Sequence, residues 1–236
     1  MLYLIGLGLN SRGISKEGML ALEGCKKVYV EGYTVDFPYN IEEELKLGKN
    51  VEVLDRSKVE SNFLIKEARS RKVALLIYGC PLFATTHMSL ILDAHAQKVR
   101  TKVIYSTSVF DGLAETGLQL YKFGKIASMP TWSGDYEPDS FMDIVKENQS
   151  IKAHSLILID IGLVFKKALV QLEMAAQKKG FNLKEMMVCS KIGTDEKQIF
   201  YGTTEYLRKK NIESPFCFII PSELHFLERE VIEEFK

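Results

Sequence analysis

What the chain has little of narrows its reading before any motif does. Cysteine is scarce: residues 25, 80, 189 and 217 stand far apart with no C-x-x-C pair. That spacing argues against a zinc site and a disulfide framework and favours reduced thiols. Neither charge is in excess, with 31 Lys and Arg against 31 Asp and Glu, so no overall field draws the protein to nucleic acid or an anionic membrane. No apolar run reaches the ~18 residues that span a bilayer. The apolar start, Met1 to Leu9, holds two glycines and no basic segment ahead of them, and reads as a first strand and not as a secretion signal. A soluble cytoplasmic protein is expected, with no metal, no direct nucleic-acid contact and no membrane contact.

What is present suffices for a core. With 236 residues at 46% hydrophobic content, one large core or two modest ones can form without staples. The chain centres on Tyr78-Gly79-Cys80-Pro81-Leu82-Phe83-Ala84-Thr85-Thr86-His87. Before it, Val73 to Ile77 is an unbroken apolar run of a strand buried on both faces; after it, apolar residues recur at helical spacing. Gly79 permits a turn, Pro81 fixes one φ, and Thr85 or Thr86 can cap the helix. In an α/β sheet such loops at the carboxyl ends of strands form the ligand crevice.

A similar unit opens the chain. Strand Leu2 to Ile5 runs into Gly6-Leu7-Gly8-Leu9, and Ser15 caps a helix ending at Gly24. Gly6, Gly8 and Ser11, with Glu31 closing the next strand (Lys27 to Val30), superficially suggest a dinucleotide site, but Ser11 stands at the third glycine position. Helices are expected over 41–47 and 60–71 and a strand over 51–54. A helix over 86–98 should turn Met88, Ile91, Leu92 and His95 toward one face, His95 packing and not binding. Strand Lys102 to Tyr105 leads into Ser106-Thr107-Ser108-Val109-Phe110, a second loop of small donors before a helical segment 112–120.

Pro130 to Pro138, with the single tryptophan, reads as a linker between domains 1–130 and 139–236. Beyond it come helices over 140–147 and 165–179, strands over 155–160, 186–190, 198–201 and 216–220, a short helix over 204–210, and a last helix over 224–235 with Leu224, Leu227, Val231 and Phe235 inward.

Gly6-Leu7-Gly8-Leu9, Gly79-Cys80-Pro81-Leu82-Phe83-Ala84-Thr85-Thr86-His87, the loop around Ser108-Val109, Gly117-Leu118-Gln119-Leu120-Tyr121-Lys122-Phe123-Gly124 and Pro221-Ser222-Glu223-Leu224-His225 together resemble the diphthine synthase family of the tetrapyrrole methylase superfamily. The resemblance runs from Met1 to about Glu230. It implies a homodimer of two α/β domains with S-adenosylmethionine between them, and methyl transfer to the amino nitrogen of a modified histidine on translation elongation factor 2. By position it assigns the cofactor contacts to Leu9, Cys80, Phe83, Ser108, Val109, Ile159, Ile192 and Phe216. The sequence departs from the family where Cys80 replaces the usual aspartate, where Ile77-Tyr78 replaces the common Thr-Pro, and at Phe216, where histidine often stands.

A sulfonium methyl is already electrophilic, so its displacement by nitrogen calls for no metal and no covalent enzyme intermediate. Positioning should supply most of the rate. The α-amino nucleophile has a pKa of about 7.7–8.0, so a weak base or water suffices and no catalytic acid or base is nominated. Tyr78, Phe83 and Phe110 are candidates to face a quaternary ammonium product. Three other readings stand beside this one: a Cys80 thiolate nucleophile with His87 nearby, a catalytically weak relative acting as a binding module, and a methyltransferase for a small tetrapyrrole-like substrate.

Overall fold

The computed structural model describes all residues, Met1–Lys236, and they divide into two compact units, Met1–Val109 and Phe110–Lys236. The first unit alternates strand and helix: β1 (Leu2–Gly6), α1 (Lys16–Glu23), β2 (Lys27–Glu31), α2 (Ile41–Glu44), β3 (Val51–Leu54), α3 (Arg56–Val59), α4 (Phe63–Ser70), β4 (Val73–Ile77), α5 (His87–Ala96) and β5 (Thr101–Ile104). The strands form a parallel sheet in the order β3-β2-β4-β1-β5. Alternation along β4 explains its unbroken apolar sequence. Val73, Leu75 and Ile77 enter one core with Leu64, Ile65, Leu90 and Ala94, while Ala74 and Leu76 enter another with Leu22, Val28 and Val30. Both faces are therefore covered, as parallel sheets require. Helix α1 has the expected ends: the Ser15 side chain accepts from Gly18 N, and Gly24 closes the helix.

The second unit opens with α6 (Val109–Gly112), which begins on the last residue of the first, followed by 3₁₀ turns at Leu113–Thr116 and Leu120–Lys122. The single helix expected over 112–120 is thus broken, because Gly117 sits at φ +80° and ends the turn in left-handed backbone. Then come β6 (Ala127–Met129), α7 (Ser140–Ser150), β7 (Ser155–Ile159), α8 (Phe165–Lys178), β8 (Met186–Ser190), β9 (Gln198–Gly202), α9 (Thr204–Leu207), β10 (Phe216–Ile220) and α10 (Phe226–Glu233). The sheet is mixed, ordered β6-β7-β10-β8-β9, with only β6–β7 parallel. Its core packs Phe141, Met142 and Val145 of α7 and Phe165, Leu169 and Leu172 of α8 on the strands.

The division after Val109 precedes the stretch read as a linker. Pro130 to Pro138 instead packs into the second unit: Trp132 Nε1 donates to Pro138 O at 3.0 Å, Thr131 N to Asp160 Oδ2 at 3.0 Å, and Gln171 Nε2 to Pro130 O at 3.1 Å. Strand β6, unanticipated from sequence, lies just ahead of it at the sheet edge. Two amphipathic helices are also rotated from expectation. In α5, His87, Leu90 and Ala94 are buried while Met88, Leu92 and His95 are exposed; in α10, Glu228 and Ile232 are buried while Leu227 is exposed. No helix is long and apolar enough to cross a membrane.

Candidate functional site

Because β1 lies between β4 and β5 in a parallel sheet, the loops that follow these strands emerge side by side. Their backbones interlock. Leu7 N donates to Ile77 O at 2.8 Å, Gly8 N to Gly79 O at 3.2 Å and Gly79 N back to Gly8 O at 2.9 Å. Ser106 Oγ donates to Gly13 O at 2.9 Å and the Tyr78 hydroxyl to Leu9 O at 3.2 Å. Glycine is dictated at two of these points. A Cβ on Gly6 would stand 2.6 Å from Gly79 O, and Gly8 sits at φ +70° with its would-be Cβ 2.9 Å from Gly13 O.

The structure gathers five of the assigned residues at this end of the first sheet: Leu9, buried, after β1; Cys80 and Phe83, half-buried, after β4; Ser108, buried, and Val109, half-buried, after β5. In the second unit Phe216 begins β10 opposite Ser190 of β8, and Cys217 opposes Leu158 of β7. Since β10 is antiparallel to both neighbours, its start lies beside their ends, and Ile159, Ile192 and Phe216 share one end of that sheet. Phe216 packs edge-on against Phe165 and tilted against Phe218, with ring centres 5.7 and 5.6 Å apart.

Of the aromatic candidates, Tyr78 belongs to the first unit with Phe83, its ring edge-on to Phe37, and Phe110 belongs to the second, edge-on to Phe123. Neither threonine caps α5 with its side chain. Thr85 Oγ1 donates instead to Pro81 O at 2.9 Å, and Thr86 Oγ1 to Glu60 Oε1 at 3.3 Å.

Sequence reasoning missed a buried polar chain under this loop. His87 and Glu31 are both withdrawn from solvent, with His87 Nε2 2.7 Å from Glu31 Oε2. Neither atom has a hydrogen-bond partner, and this close contact is what each of them meets. Nδ1 of His87 faces Pro81 O at 3.2 Å, and since a carbonyl only accepts, Nδ1 carries a hydrogen. Glu31 Oε1 accepts from Thr34 Oγ1 at 2.5 Å. Tyr33 nearby has its phenol pushed up to about 12 by burial, with the charges of Glu31 and Glu60 adding to it. Glu31 is therefore committed inside the fold and is not placed to meet a ribose, which removes the dinucleotide reading. His87 is likewise engaged by Glu31 and Pro81, which removes the base from the Cys80 nucleophile reading.

The paired glycine loops, the parallel first sheet and the mixed second sheet define a class, and the family comparison states which. Residues 1–207 match the tetrapyrrole (corrin/porphyrin) methylases, and the chain belongs to that family. Among its relatives are diphthine synthases. It is 35% identical to the diphthine synthase of Methanothermobacter thermautotrophicus, over 99% of this chain and 95% of that one. It is 30% identical to the diphthine methyl ester synthase of Schizosaccharomyces pombe, over 100% and 94%. A crystal structure of a diphthine synthase superposes with a TM-score of 0.89 at 31% identity, covering 99% of this chain and 95% of that one.

Proposed function

We propose that this methyltransferase moves methyl groups from S-adenosylmethionine to the amino nitrogen of the modified histidine on translation elongation factor 2, a step of diphthamide biosynthesis, and that it works as a cytoplasmic homodimer. The carrying observation is likeness to diphthine synthases along essentially the whole of both chains. Leu9, Cys80, Phe83, Ser108, Val109, Ile159, Ile192 and Phe216 are proposed as the cofactor contacts. They suit such a ligand, being neutral and largely apolar or small, so that a sulfonium meets no competing cation. When bound, the cofactor supplies an electrophilic methyl group. The chain supplies position: glycines lock the loops so that Cys80 and Phe83 are presented without rearrangement, and that pre-arrangement lowers the entropic part of the barrier. No side chain is assigned as base, because an amino group near neutral pH already offers enough free nucleophile.

Incubation with radiolabelled S-adenosylmethionine and elongation factor 2 bearing the unmethylated precursor should label that protein. Labelling of a tetrapyrrole and not of the factor would overturn the substrate assignment, and binding of both without transfer would favour a binding module. The name carried by the yeast relative favours a second reading, in which a carboxylate is also esterified. Mild alkali separates the two, since an ester-bound label is released and an N-methyl label is kept. Sedimentation at micromolar concentration checks the dimer, which a clean monomer would contradict.

A further inference from the structure

We propose that His87 and Glu31 are a positioning pair for the Cys80–Phe83 loop, acting through the Pro81 carbonyl; the functional half of this rests on that loop holding the cofactor. Pro81 O is the point at which the loop is gripped. It takes the Thr85 hydroxyl at 2.9 Å and His87 Nδ1 at 3.2 Å, while the turn around it closes through Phe83 N donating to Cys80 O at 3.1 Å. The next residue, Ala84, is held at φ +53°, a left-handed backbone that is unfavourable for a non-glycine residue and persists only where neighbours enforce it. The imidazole is itself fixed from behind by Glu31, and Glu31 by Thr34, so a continuous chain Thr34–Glu31–His87–Pro81 joins the loop after β2 to the loop after β4. These strands are neighbours in the sheet, and the tie therefore crosses one strand spacing.

Stability alone does not account for the pair. A buried ion pair is often no better than apolar side chains of similar volume, because removing both groups from water offsets their attraction. Here the polar pair gives Pro81 O a second donor, whereas apolar replacements would leave it with the Thr85 hydroxyl alone. A role in holding the loop and a role in holding the core thus make opposite forecasts for an apolar double substitution.

The test compares the parent with Glu31→Met/His87→Leu by thermal unfolding, by calorimetry with S-adenosylhomocysteine, and by the rate at which iodoacetamide alkylates Cys80. Cys80 is the one thiol not buried, the other three being enclosed, so its alkylation reports the loop even without ligand. The double variant should unfold near the parent's midpoint, bind S-adenosylhomocysteine about tenfold more weakly, the worth of one hydrogen bond, and show a severalfold change in unliganded Cys80 alkylation. Parental affinity and parental alkylation in a folded double variant would overturn the proposal.

Should that variant fail to fold, His87→Asn against His87→Ala decides by the same readouts, since asparagine keeps a donor for Pro81 O and alanine does not. A tenfold gap in affinity supports the pair, and equal affinity with equal alkylation rejects it. The cofactor assignment is judged separately, in the parent, by whether S-adenosylhomocysteine protects Cys80. Absence of protection beside an altered unliganded rate in the variant would remove the ligand from this loop and still leave His87 holding it.

Discussion

In the second unit Glu228 meets four donors, whereas in the first unit Glu31 accepts one hydrogen bond, from Thr34, and its other oxygen only approaches His87. Glu228 Oε1 accepts from Gln119 N at 2.9 Å and His154 Nε2 at 3.1 Å, and Oε2 accepts from His225 N at 2.7 Å and from the Lys122 ammonium. His154 Nδ1 accepts from Ser222 N at 2.9 Å, so the tautomer is fixed with its hydrogen on Nε2. Every lone pair and proton of that pair is assigned, and its partners are mostly backbone amides of turns and a helix start. It closes a fold. The His87–Glu31 pair has one 2.7 Å contact, one helper in Thr34, and a single backbone contact, which lies in the candidate cofactor loop. The same two residue types serve packing where the backbone surrounds them and positioning where they reach one loop.

The contrast predicts that breaking the second pair damages the fold most. Glu228→Ala leaves His154 Nε2 without its acceptor and Lys122 with the Glu223 carbonyl alone, and should cost about 3–5 kcal/mol, as when one member of a buried pair is removed. Urea unfolding followed by Trp132, the only tryptophan and part of this core, measures it. A loss under about 1 kcal/mol, the worth of an exposed pair, would mean that the cluster is not a clamp.

Acid should expose the same pair. Burial opposes the Glu228 charge, but the Lys122 ammonium, the two backbone amides and His154 outweigh it and hold the carboxyl at about 2, below its ordinary 4.5. Burial holds the His154 imidazole below its ordinary 6.5, against the pull of Glu228. In both cases the unfolded chain binds a proton that the folded chain refuses, so stability rises with pH. It should be full above pH 6.5, fall first as unfolded His154 protonates, and fall again from 4.5 toward about 2 as Glu228 does. Glu228→Gln should flatten the lower part of that slope in the Trp132 signal; an unchanged slope would place the acid sensitivity elsewhere.

These two pairs also mark where the sequence stopped being readable. Local signals served well: Ser15 and Gly24 bracket α1, and Val73 to Ile77 is β4. The helix faces of α5 and α10 differ from expectation because the spacing of the large apolar residues set the expected ones, which leaves His87 and Glu228 no inward place. His87 and Glu228 point inward because their partners, Glu31 in one case and Gln119, Lys122 and His154 in the other, arrive from distant parts of the chain. A buried polar group is tolerated only when partnered, and partnership over that separation leaves no periodicity to read. Strand β6 escaped for a different reason, being three residues at a sheet edge. The loops carrying Leu9, Cys80 and Ser108 could be found because glycine, proline and small hydroxyl residues follow apolar strands in each.

Next in size is the glycine that lets two loops of the first unit meet. An alanine at Gly6 would put its Cβ 2.6 Å from Gly79 O and 2.9 Å from Ser106 Cβ, forcing apart the β1, β4 and β5 ends at a cost of ~1–3 kcal/mol. Gly79→Ala meets nothing nearer than Thr107 O at 3.7 Å but keeps φ +70°, a strain of ~1–2 kcal/mol. Gly6→Ala should therefore weaken S-adenosylhomocysteine binding more than Gly79→Ala. The reverse order in calorimetry would show that backbone angle at Gly79, and not the spacing of the loops, shapes the site.

The smallest effect is expected at Cys80, although it is the most visible departure from the resemblance. A carboxylate there would accept hydrogen bonds that a thiol accepts poorly, and a bond to a charged acceptor is worth about 1.5–3 kcal/mol. Were such a bond part of binding, Cys80→Asp would tighten the cofactor by about tenfold or more. The loop gives a reason to expect otherwise. Its shape is set by Gly79 pairing with Gly8, by the Cys80 carbonyl accepting from Phe83 N, and by Pro81 held from two sides. Position 80 is thereby committed through its backbone, with the side chain only half-buried. Cys80→Ala and Cys80→Asp should both bind S-adenosylhomocysteine within a few-fold of the parent and both retain methyl transfer. Loss of transfer in Cys80→Ala with binding intact would restore the thiol to the chemistry, and a tenfold gain in Cys80→Asp would show that this site works below the affinity its loop can support.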